Sequence, residues 1–166
     1  MKSRARQFLQ MICVLSLLLS FSPPAIASVH TYPESDNYTM FRSLQTLRDQ
    51  SDRAWQFVLF KRVHGGQVES IHLRVVGFPG SGELEHPADL QITSPQQTWM
   101  ATDTLPQISP FPTNVGEYDA LDVVTGLTSD APLKLELPAV KSKVAIAVPP
   151  FVVKEWRRVA AMWQNP

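Results

Sequence analysis

Cysteine is nearly absent from this chain: Cys13 stands alone among 166 residues. It lies inside an apolar run that the N-terminal pattern marks for removal. The mature chain is therefore expected to have no disulfide, no thiol nucleophile and no thiolate metal site. Histidine is almost as sparse. His30, His64, His72 and His86 form no HxH or HExxH pair of the kind that holds zinc. There is no glycine-rich phosphate loop and no block of basic residues, and 15 basic side chains balance 15 acidic ones. That balance lacks the electrostatic footprint of a nucleic-acid binder. No second long apolar run exists, so no transmembrane segment is expected in the mature chain.

The single apolar run is the first feature present. Lys2, Arg4 and Arg6 precede Phe8 to Phe21, Pro23 and Pro24 break the run, and Ala25-Ile26-Ala27 puts small residues at both cleavage-defining positions. This is the pattern of a secretory signal peptide over residues 1–27, with cleavage after Ala27. The run falls short of the roughly 20 residues a spanning helix needs. Gln10-Met11-Ile12 before Cys13 are not the small residues that lipoprotein processing requires. Removal takes three cations and no anion, leaving 12 basic against 15 acidic residues, a net charge near −3. A domain of the remaining size buries about 68–70% of its unfolded surface, enough for one core.

Residues 28–37 are polar and aperiodic, and read as a flexible leader. Residues 38–166 read as one β-rich domain. Its strongest signal is Arg53 to Gly77, two runs of β-branched and aromatic residues joined through Gly65-Gly66, which predicts a hairpin. In the first run Trp55, Phe57 and Leu59 share one face while Val58 and Phe60 share the other, so cover on both sides is expected. Lys61 and Arg62 read as the exit to water. In the second run Ile71, Leu73 and Val75 alternate with Ser70, His72 and Arg74, which predicts one buried and one wet face. Thr39 to Arg48 is assigned to a strand that pairs with the hairpin. Leu90 to Thr93, Thr98 to Thr102, Leu133 to Leu137 and Val144 to Val148 supply four further strands. Val115 to Leu127 holds Leu121, Val124 and Leu127 at helical spacing, with Asp119 placed to cap and Gly126 to end a short helix. Phe151 to Trp163 carries Val152, Trp156, Val159, Ala160 and Trp163 on one stripe, an amphipathic helix opened by proline. The predicted fold is mainly β: a single antiparallel β-sandwich or small β-barrel with a short helix and a C-terminal amphipathic helix.

Catalytic signals are weak. Gly80-Ser81-Gly82 lacks the Gly-x-Ser-x-Gly spacing and the following helix of a nucleophile elbow. Glu83, Glu85, Glu117, Asp119 and Asp122 are acidic positions near loops, and nothing in the sequence pairs them across a cleft. No catalytic, cofactor-binding or metal-binding residue is assigned, and no cofactor is expected. Two places keep functional interest. Trp156, Arg157, Arg158 and Trp163 on the last helix, and Phe111 in the proline-rich loop, have the composition of a partner surface.

Four stretches in combination resemble a small exported cyanobacterial protein family of unknown function. They are Leu47-Arg48-Asp49 with Trp55-Gln56 and Lys61-Arg62, Leu73 to Gly80, Asn114 to Asp119, and Pro149 to Trp156. The resemblance covers most of residues 38–157. It implies a host with photosynthetic membranes and a location in the periplasm or thylakoid lumen, and it transfers no catalytic residue. The expected function is a non-enzymatic exported β-domain that binds a protein partner, an accessory or assembly factor at a photosynthetic or envelope membrane. The alternative is a carrier of a small apolar ligand, lipid or pigment, in a β-barrel or sandwich cavity. A third reading, an enzyme with scattered catalytic residues, would need a cleft where Asp, Glu and His converge.

Overall fold

The structure is a computed structural model that describes residues 30–35, 37–105, 112–141 and 143–162. The expected signal peptide, Phe111 and Trp163 lie outside the described residues. The strands are β1 (His30–Ser35), β2 (Tyr38–Arg48), β3 (Ala54–His64), β4 (Gln67–Gly77), β5 (Leu90–Thr93), β6 (Thr98–Ala101), β7 (Val115–Asp119), β8 (Leu133–Leu137) and β9 (Val144–Val148). Helix α1 spans Leu121–Gly126 and α2 spans Pro150–Ala161. The strands form two antiparallel sheets, ordered β1-β2-β3-β4-β7 and β6-β5-β8-β9. Isolated bridges at Asp49–Ile146, Leu84–Ala139 and Asp103–Tyr118 stitch the two together without closing a barrel.

The β3–β4 hairpin is the frame of the larger sheet. Its turn is Gly65-Gly66, with φ of 54° and 78°, the left-handed pair that a tight hairpin needs. Trp55, Phe57, Leu59 and Val63 of β3 join Ile71, Leu73 and Val75 of β4 on the inner face, all buried. Strands β2, β3 and β4 each run 11 residues, whereas those of the smaller sheet run four or five. At about 3.3 Å per residue the smaller sheet is too short to cover the larger one. Helix α2 supplies the remaining cover. Pro150 sits in its first turn, and Val152, Val153, Trp156 and Val159 enter the same core as Trp55 and Phe57.

Several expectations change. The first concerns Lys61, which does not mark an exit to water. It is only 2% exposed, and its ammonium donates to the carbonyls of Ala160 (2.6 Å) and Met162 (2.8 Å) at the end of α2. Helix C-terminal carbonyls have no intrahelical donors, and a cation there also complements the helix dipole. Burial pushes the Lys61 ammonium below its ordinary value. The second concerns β3, over whose outer face no layer packs among the described residues. Phe60 is buried there by polar neighbours on adjacent strands. The third concerns Val115 to Leu127, which divides. Its first part is β7, paired with β4, and only Leu121–Gly126 is helical. Asp119 Oδ1 accepts from the Leu121 amide, but it sits outside the cap position, which is Ala120. Finally, His30–Ser35, inside the span read as a flexible leader, pairs along β2 as an edge strand. An edge strand needs backbone pairing, not an apolar face, so alternation in sequence did not reveal it.

Candidate functional site

The residues expected to meet a partner separate in the fold. Trp156 is 1% exposed and belongs to the core, which removes it from any partner surface. The amphipathic stripe of α2 faces the larger sheet, and Trp156 lies on that stripe. Arg157 is half-buried and donates to the Leu127 carbonyl and to Asp130, fastening α2 to the segment after α1. Arg158 is exposed beside them.

Ser81, His86 and Glu117 are also engaged structurally. Ser81 is buried and its hydroxyl donates to the Ala54 carbonyl at 2.5 Å. His86 meets Asp103 Oδ2 through Nδ1 at 2.6 Å, which has the look of a catalytic pair. Its Nε2, however, lies 2.9 Å from the Val115 carbonyl and donates to it. The pair therefore clasps the β4–β5 connection to the start of β7, and no ring nitrogen is left to face a substrate. Burial pushes the Tyr118 hydroxyl well above its ordinary value, with the charges of Asp103 and Asp89 adding to it. Among the described residues no cluster of three or more His, Cys, Asp or Glu can hold a metal.

What the fold does assemble is the outer face of the five-stranded sheet. Cross-strand register places His30, Arg42, Phe60, His72 and Asp119 in one row. The next row is Leu44, Val58, Arg74 and Glu117. Phe60 lies at the centre. The His72 ring stacks on it at 5.5 Å, and the guanidinium groups of Arg62 and Arg74 stand 5.4 and 5.5 Å from its centroid. Cations over an aromatic face are attracted by its quadrupole. Arg74 forms a forked pair with Glu117 at 2.6 and 2.8 Å, and His72 reaches Glu117 and Thr104. Arg42 differs. Its guanidinium lies 4.2 Å over the Tyr32 ring and donates to the Tyr32 hydroxyl, and no described carboxylate pairs with it. Tyr32 and Leu44 are about two-fifths exposed beside it.

Sequence reasoning misses Arg42, Tyr32 and Leu44. The available signal is an arginine in each of three neighbouring strands, Arg42, Arg62 and Arg74. It becomes a face only after the register is known.

Residues 27–159 match the model of the family described as "Protein of unknown function (DUF3122)", and the chain belongs to that family. No curated protein and no solved structure matches it. Among the described residues no helix is long and apolar enough to cross a membrane.

Proposed function

We propose that this protein is a non-enzymatic exported β-domain that binds a protein partner through the outer face of its five-stranded sheet. The N-terminal signal pattern supports export, to the periplasm or the thylakoid lumen. The role that follows is an accessory or assembly factor at a photosynthetic or envelope membrane. One observation carries the choice of surface: Arg42 has an aromatic partner but no described carboxylate, beside exposed Leu44 and Tyr32. Arg and Tyr anchors are favoured at interface centres. Arg42 is the arginine of this face that meets an aromatic ring and no described carboxylate, so the complementary partner presents an acidic group beside an apolar anchor.

The carrier reading draws less support. The space between the sheets and α2 is filled by Trp55, Phe57, Tyr118 and Trp156, each at most 1% exposed. Photo-crosslinking from position 44 in native membranes tests the proposal. The expected product is one discrete adduct with an acidic protein, lost in Arg42→Glu and weakened by salt. Adducts that persist unchanged in Arg42→Glu, or no adduct at all, would sink it.

A further inference from the structure

A second surface feature lies outside that face. The Phe78–Glu83 loop, Thr113–Asn114 and the Ala139–Lys141 loop enclose an open groove of about 470 Å³. Small-molecule sites commonly run about 300–1,000 Å³. Its walls are tied down by backbone bonds. Gly77 N–H donates to the Asn114 carbonyl (2.8 Å), Leu84 N–H to Thr113 (2.7 Å) and Val140 N–H to Glu83 (3.1 Å). Gly80 and Gly82 hold φ of 87° and 138°, which favour glycine and leave those two positions of the loop without a side chain.

One cation faces the groove in a fixed pose. Arg53 Nε donates to Asp49 Oδ2 at 2.8 Å, and the Asp49 side chain is fully buried. Asp49 is itself held by Trp55 Nε1 and by the amides of Ser51 and Arg53. Both terminal amino groups of Arg53 are left without a bond to any described residue. A guanidinium oriented from behind in this way presents a ready fork to a carboxylate. Lys141 adds a second cation to the lining and Glu83 an anion, leaving one net positive charge. Asp49 offsets part of the field, so recognition here is short-range and directional. Phe78 and Pro79 supply an apolar wall, with Phe78 43% exposed.

We infer that this groove binds a small monocarboxylate with an apolar body. The Arg53 fork takes the carboxylate and the Phe78–Pro79 wall takes the body. Glu83 disfavours a dianion such as phosphate. The test is an NMR titration of the purified, isotope-labelled protein with phenylacetate, phenylacetamide and inorganic phosphate. Phenylacetate is expected to give saturable shifts at the Gly80 and Gly82 amides and at Arg53 Nε–H. The amide should bind at least roughly tenfold more weakly, the scale of one lost charge-assisted pair. Arg53→Lys keeps the charge without the fork and should weaken phenylacetate by a similar factor. Lys141→Glu, at an exposed position of the lining, should weaken the response less than Arg53→Lys does while the rest of the spectrum stays unchanged. Equal responses to acid and amide, tighter binding of phosphate, an undiminished response in both variants, or no saturable shift would each overturn the assignment.

Discussion

The two faces of the five-stranded sheet solve burial in opposite ways. On the inner face Trp55, Phe57 and Leu59 exclude water by packing against a second layer, and the one cation among them, Lys61, is consumed in closing a helix. On the outer face Phe60 is 4% exposed with no layer above it among the described residues, screened by Arg62, Arg74 and His72. The inner arrangement stabilises through area removed from water, about 25 cal/mol per Å². The outer one gains little from exposed ion pairs, typically about 0–1 kcal/mol each. Stability is therefore concentrated inside, and the outside contributes less to it. The inner face is not free of cost. Ser43 Oγ, Tyr118 Oη, Glu155 Oε1 and Trp156 Nε1 are buried without a hydrogen-bond partner among the described residues. Three of these four lie on β2 and α2, whereas the indole N–H of Trp55 is bonded to Asp49.

Breaking the inner face should have the largest effect. Trp55→Ala is expected to cost about 3–5 kcal/mol, the usual range for a buried large aromatic. An unchanged denaturant midpoint would show that the core does not depend on it. Trp156→Ala should cost a similar amount, about 3–5 kcal/mol, because α2 is a structural layer. If it leaves melting intact and removes partner binding instead, α2 is the interaction surface after all. Lys61→Ala should cost about 1–3 kcal/mol by stranding the Ala160 and Met162 carbonyls. Hydrogen exchange should show that loss first in the last turn of α2, and uniform exchange along α2 would contradict the capping role.

Asp49 gives a pH-dependent test. Burial alone would raise its carboxyl, but the hydrogen bonds from Trp55, Arg53 and Ser51 outweigh burial and hold it below the ordinary 3.8. A carboxyl lowered by folding contributes stability that is complete above its unfolded value and is lost as pH falls through the folded one. Stability should therefore fall in the range below about pH 4, and Asp49→Asn should flatten that limb. An acid limb identical in the variant would assign the loss to other carboxylates. The smallest effect on stability belongs to the outer face. Arg42→Ala and Leu44→Ser should change stability by no more than about 0.5 kcal/mol while weakening partner capture. A loss of several times that size would make this face structural, and the contrast between the faces would fail.

Much of the fold is legible in the amino-acid sequence. Alternation marks β3, β4, β8 and β9, the Gly65-Gly66 pair marks the hairpin turn, and the stripe through Val152, Trp156 and Val159 marks α2. The elements that escape share a cause. β1 and the β7 portion of Val115–Asp119 owe their existence to pairing with other strands, and their own side chains alternate weakly. The candidate sites are less legible still. Lys61 looks solvated in sequence because its acceptors lie about a hundred residues away. Arg53 looks like an ordinary strand flank until Asp49 is seen to orient it.

Residue order alone is enough to make this protein mainly β with an amphipathic helix at its end. Hydrophobic periodicity is a local property, and it dictates which residues of an element must leave water. Three outcomes wait for the folded chain: which strands become neighbours, whether a cation caps a helix or faces solvent, and which alternate residues gather around Phe60. They depend on cross-strand register and on backbone groups supplied from distant segments, quantities that no stretch of chain contains alone.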